Sequence, residues 1–197
     1  TYYSWRFHFD HVEGNSKEAF EFIKAAYAID TSNRNLILFM GVGFLNLEQY
    51  DEAYTYFSRY YSLSEPSDEL RANYMNQMGY LLWIIGRKEE AMLLFQELID
   101  HCTRQIQIKS DYGQSAGIFD KACIYSFLGE KDSAYNYLED LVTVRWHKYY
   151  ISALNNNPML DSIRYEQRFQ QLLSKMEAKY QAEHERVRQW LEVNDML

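Results

Sequence analysis

Apolar residues recur along this chain three or four positions apart, in segments of roughly ten to twenty residues separated by short polar clusters. The clearest stretch is GYLLWIIGRKEEAMLLFQEL, Gly79 to Leu98. It reads as two helices joined by a tight turn at Gly86, with Gly79 on the first and Ala91 and Phe95 on the second. The same figure extends in both directions. Tyr2–Val12 predicts an aromatic-rich helix. Ser16 reads as an N-cap for a helix over Ala19–Ala28 that carries Phe20, Ile23 and Tyr27 on one face. Turn formers from Asp30 to Asn33 end it. Asn35–Leu47 and Tyr50–Leu63 make the next pair, closed by Glu65, Pro66 and Ser67. Asp68 then caps a helix reaching Ile85, and Lys88–Cys102 returns beside it. The polar, poorly periodic stretch Thr103–Ser115 reads as a long connection. Ile118–Leu128 and Asp132–Val144 follow, with Gly129 at their turn.

Beyond Trp146 the pattern changes. His147–Leu154 predicts a short helix, which Asn155 to Pro158 breaks. A last helix from Glu166 to about Glu192 carries Phe169, Leu172, Leu173, Met176, Tyr180, Val187, Trp190 and Leu191. Its apolar stripe is wide up to Tyr180 and narrow afterwards, where Glu183, Glu185, Arg186 and Arg188 dominate. That second half covers the last groove, reaches a partner, or is simply a solvated helix end with a capping Trp190.

The small residue early in each second helix gives the period. Ala19, Ala53, Ala91 and Ala134 stand 34, 38 and 43 residues apart, a base period with insertions, as in stacked helix pairs. The turns before them read GNSKEA, EQYDEA, GRKEEA and GEKDSA. These four units resemble tetratricopeptide repeats. The second supplies Gly41, Phe44, Ala53 and Phe57; the third Gly79, Leu82, Ala91 and Phe95; the fourth Ala122, Tyr125, Ala134 and Leu138. The first keeps Gly14, Ala19, Ile23 and Ala26 but has Phe7 where a small residue belongs, as suits a terminal repeat. The resemblance implies an all-α fold, an α-solenoid wound as a right-handed superhelix. Its units span about 1–33, 34–71, 72–114 and 115–146, with a capping region over 147–197. Asn156–Leu173 is similar to a segment that often closes such arrays in bacterial proteins, with Asp161 and Arg164 organising its turn.

Packing gives this pattern a physical reason. Gly41 and Gly79 each cost a helix about 1 kcal/mol against alanine, so a close approach of the two backbones is expected to favour them. A large residue at Ala53 or Ala91 would overpack, and Phe57 and Phe95 are expected to fill the space between successive units.

Composition narrows the function classes. Apolar residues make up 47% and charged residues 24%, which is globular, and two prolines leave long helices uninterrupted. The net charge of −8 argues against nucleic acid, whose phosphates call for clustered Lys and Arg. No apolar run approaches the ~20 residues of a membrane span, and no signal peptide is visible. Cys102 and Cys123 read as two free thiols among helices, not a disulfide framework. The chain starts at Thr1 already inside a helical pattern, so it reads as cut from a longer protein, with the cytoplasm as the default compartment.

No catalytic constellation, metal set or cofactor motif emerges. His8 and His11 share a spacing of three, but no carboxylate or thiol completes a ligand set nearby. Acidic pairs such as Asp51-Glu52 and Glu89-Glu90 sit in turn positions and read as solvated. The resemblance implies instead a concave groove lined by the first helix of each pair. The third unit brings Asn73, Asn76, Tyr80 and Trp83 to it, and the fourth Ala116, Phe119, Cys123 and Ser126. Lys and Arg are absent from these positions, which disfavours a clamp on a terminal carboxylate. Asn73, Asn76, Tyr80, Trp83 and Phe119 are therefore the candidate peptide-binding residues; the alternative is that the aromatics, Trp83 above all, pack on the next repeat or under the last helix. The expected function is a non-enzymatic protein–protein interaction scaffold, part of a larger bacterial regulatory protein, binding a peptide or helix. The alternative is a sensory or dimerising arm that forms a homodimer through the last helix.

Overall fold

The computed structural model describes residues 16–63, 74–108, 111–144 and 148–196. The helix expected over Tyr2–Val12, the cap at Asp68 and the groove residue Asn73 lie outside them. Among the described residues the chain is all-α, with no strand, and it divides into two compact units, Thr1–His101 and Cys102–Leu197. Neighbouring helices pack in sequence order, the arrangement of an all-α helical-repeat solenoid.

The first unit contains α1 (Ser16–Ile29), α2 (Arg34–Asn46), α3 (Tyr50–Ser62), α4 (Met75–Ile84) and most of α5 (Lys88–Ile108). These bounds follow the hydrophobic periods to within a residue or two, except that α1 starts at Ser16 itself, the described part of α4 starts at Met75 and α5 runs past Cys102 to Ile108. Asn33 caps α2 with its side chain, accepting from the amides of Asn35 and Leu36 at 3.1 and 3.3 Å. The core gathers Ala19, Phe20, Ile23 and Ala26 of α1 with Leu36, Phe39 and Met40 of α2. Ala53 and Ala91 are fully buried, as small anchors must be.

The helical glycines act differently from expectation. A Cβ at Gly79 would lie 2.4 Å from the Phe95 ring, and one at Gly41 would lie 3.2 Å from the Phe57 ring. Each glycine thus admits an aromatic ring from the second helix of its own pair, not a neighbouring backbone. Phe57 and Phe95 fill the inside of a pair as a result, because the missing side chain leaves the nearest space for them. Backbone approach does occur at Gly117, whose Cβ would meet the Cys102 carbonyl oxygen at 3.2 Å.

The turns inside the pairs share one geometry. Gly86 and Gly129 hold φ of +86° and +83°, and the amide after each reaches back to close the turn: Arg87 to the Leu82 carbonyl and Glu130 to the Tyr125 carbonyl, both at 2.8 Å. Glu48 occupies the same place between α2 and α3 at φ +58°, with Gln49 donating to the Phe44 carbonyl at 2.9 Å. A side chain there carries a steric cost that glycine avoids.

The second unit holds the end of α5, then α6 (Asp111–Phe127), α7 (Lys131–Thr143), α8 (Lys148–Asn156), a 3-10 turn (Pro158–Leu160) and α9 (Gln167–Val193). Here the expected long connection over Thr103–Ser115 is overturned. α5 runs on to Ile108 and α6 starts at Asp111, so the extra residues of this repeat lengthen two helices. The stretch is polar but holds no proline, and Cys102 and Ser115 are buried, which keeps both helices packed through it. α6 packs on α7, the 3-10 turn on α6, and α9 on both α7 and α8.

Candidate functional site

α4 carries the expected groove residues of the first unit. Asn76, Tyr80 and Trp83 are spaced four and three apart, which places them along one face of the helix. Asn76 is buried, with its Oδ1 accepting from the Gln77 amide at 2.7 Å, whereas Tyr80 and Trp83 are half-buried. The Lys88 ammonium, at the start of α5, lies 5.0 Å from the centre of the Trp83 ring. Beside it Arg87 stacks on Tyr54 at 4.9 Å, donates to the Tyr54 hydroxyl and pairs with Glu90 at 2.5 Å. These bonds favour the ionised forms of both partners: the Arg87 bond holds the Glu90 carboxyl below its ordinary range and also lowers the Tyr54 hydroxyl. The face therefore carries two half-buried aromatic rings, with the Asn76 amide buried and Lys88 and the Arg87–Glu90 pair nearby.

α6 carries the corresponding residues of the second unit, and there the chain covers them itself. Phe119 is buried and packs on Tyr150 of α8, ring centres 5.3 Å apart. The Cys123 sulfur accepts from the Asn157 side chain at 3.4 Å, and the Ser126 carbonyl accepts from the Ser162 hydroxyl at 3.0 Å. Burial pushes the Cys123 thiol pKa far up, with the nearby Asp120 adding to it, and does the same to Cys102, so both thiols are held unreactive. Asp120 is buried as well, and desolvation raises its carboxyl well above the ordinary range.

The covering segment is held by polar contacts that sequence reading only partly found. Arg164 pairs with Asp161 at 2.6 Å and donates to the backbone carbonyls of Leu154 at 2.6 Å, Asn157 at 2.5 Å and Asn155. It thereby caps the open end of α8. Glu166 receives Lys131 at 2.5 Å and the Tyr135 hydroxyl at 2.7 Å, and both bonds, Lys131 first, hold its carboxyl low. Arg168 stacks on Tyr135 at 4.3 Å and pairs with Glu139 at 2.8 Å.

Arg168 follows Tyr135 by the same 33 residues that separate Arg87 from Tyr54, with the same ring stacking. The buried run Phe169, Leu173, Met176 also keeps the spacing of Ala134, Leu138, Leu141. α8 and α9 thus repeat the helix-pair pattern with a phenylalanine at the small-residue anchor. The available signal was Phe169, 35 residues after Ala134.

Together these features define a helix-pair repeat protein. Residues 117–145, covering α7 and most of α6, match the family model of the tetratricopeptide repeat, which supports a tetratricopeptide-repeat assignment for this helix pair. No curated protein and no solved structure matches it. Repeats of this family act in protein–protein interaction and are typically non-catalytic scaffolds. Among the described residues no group of three or more His, Cys, Asp and Glu is placed to hold a metal, and no helix is long and apolar enough to cross a membrane.

Proposed function

We propose that the chain is the interaction region of a larger regulatory protein, a scaffold without enzymatic activity that binds an extended peptide or a helix on the α4 face. The observation that carries this reading is the pair Tyr80 and Trp83, half-buried one turn apart, beside the amide of Asn76. Aromatic rings that keep part of their surface accessible provide large contact area at low entropic cost. Asn73 extends the same set by its spacing, whereas Phe119, buried against Tyr150, is left out of it.

The test is selection from a displayed peptide library on the full chain, followed by titration of the selected peptide. Trp83→Ala and Tyr80→Ala are each expected to weaken binding about tenfold or more, as central aromatic contacts do. Tyr165→Ala, at a highly exposed residue of the second unit, should leave it unchanged. Equal affinity across all of these variants would remove the α4 face from the reading.

A second reading, self-association through the last helix, is supported by one observation. Every residue from Gln181 to Trp190 is exposed, although the helix continues through them.

A further inference from the structure

The apolar stripe of α9 runs twice through the same intervals. Phe169, Leu173, Met176 and Tyr180 follow one another by four, three and four residues, and Tyr180, His184, Val187 and Leu191 do so again. The first run is buried within the second unit, with Phe169 and Met176 each 1% exposed. The second run projects, with Val187 42% and the adjoining Trp190 55% exposed. Alternating steps of three and four keep one seam toward a partner helix, and the extra step of four at Tyr180 turns that seam in a new direction. The anchored first half of α9 carries the helix outward, and Val187 and Trp190 leave apolar surface in water along its second half.

Charge selects that partner. With Tyr180 and Val187 at d positions and His184 and Leu191 at a, Glu183 falls at g and Arg188 at the e position five residues on. In a parallel pair of identical helices, g of one strand faces that e of the other. Glu183 of each copy then meets Arg188 of the other, twice by symmetry. An antiparallel pair sets g beside g and e beside e and forms neither bridge. Within one chain Glu183 pairs with Arg186 at 2.6 Å, and Arg188 lies 3.3 Å from Glu192 and 3.6 Å from Glu185. Exposed pairs of this kind exchange at small cost.

We propose that the projecting half of α9 forms a parallel two-stranded coiled coil with a second copy of this chain. The proposal rests on the self-association reading and gives it a surface and a register. The test is sedimentation equilibrium of the full chain over a range of concentrations, with circular dichroism to verify that each variant keeps its helix content. Wild type is expected to dimerise, and Val187→Glu to stay monomeric throughout. Glu183→Arg and Arg188→Glu should each weaken the dimer about tenfold through like-charge contacts, and the two together should restore it. A monomeric wild type overturns both this proposal and the reading beneath it. A dimer that survives Val187→Glu overturns the coiled coil and leaves self-association to another surface. A double variant as weak as the single ones overturns the parallel register.

Discussion

α4 and α6 are each followed through a glycine turn by a second helix, and equivalent positions along them have different surroundings. Asn76, Tyr80 and Trp83 on α4 correspond to Phe119, Cys123 and Ser126 on α6. Asn76 and Phe119 are both buried, but Tyr80 and Trp83 keep part of their surface accessible, whereas Cys123 and Ser126 are fully buried beneath Asn157 and Ser162. The repeat pattern assigns both sets to the lining of a groove. What separates them is the chain that follows α7: α8 and the 3-10 turn occupy the α6 face, held there by Tyr150, Arg164 and Glu166. Position in a repeat says where a side chain sits on its helix, and a distant segment decides whether it is available.

The comparison breaks most sharply by truncation on the covered side. Phe119→Ala should cost about 3–5 kcal/mol, the range for a buried phenylalanine, whereas Trp83→Ala on the half-open side should cost less. Chemical denaturation of both variants measures the difference, and similar losses would mean that the two faces are equally covered. Arg164→Ala comes next. It leaves the carbonyls of Leu154, Asn155 and Asn157 without their donor and is expected to cost about 2–3 kcal/mol, with faster amide exchange over residues 148–160 and none of that change over α2 and α3.

A smaller effect of opposite sign is expected at Asp120. Its carboxyl titrates higher in the folded chain than in the unfolded one, where it ionises near the ordinary value of about 3.9. Its contribution is therefore fully present below that pH and declines as pH rises toward the folded value. Asp120→Asn should raise stability at neutral pH by about 1–2 kcal/mol and flatten the decline, read from melting temperatures between about pH 4 and 8. Glu166 works in the other direction, since its lowered carboxyl adds stability that is lost as pH falls through its folded value. The smallest effect belongs to Glu48→Gly, which removes the steric cost at φ +58° and should stabilise by up to about 1 kcal/mol. The same substitution principle predicts a loss for Gly86→Ala or Gly129→Ala, where φ is also positive.

Much of this architecture was legible in the residues. Helix periods, the anchors Ala53, Ala91 and Ala134 and the turn glycines report local requirements that each segment meets by itself. Three features depended on packing between segments. Gly79 faces the Phe95 ring, which no spacing separates from backbone contact. Thr103–Ile108 stays helical because α5 continues past Cys102 while Gly117 of α6 closes on that residue's backbone. Phe119 is covered by Tyr150, a residue 31 positions later in a segment whose small-residue anchor has become Phe169.

The central claim, that a partner is received on the α4 face while the α6 face is taken by the chain itself, is tested most directly by amide hydrogen exchange on the full chain. The measurement compares the chain alone with the chain saturated by a selected peptide. The account predicts slower exchange over Met75–Ile84 with no change over Gly117–Phe127. Protection confined to the second unit, with none on α4, would contradict it.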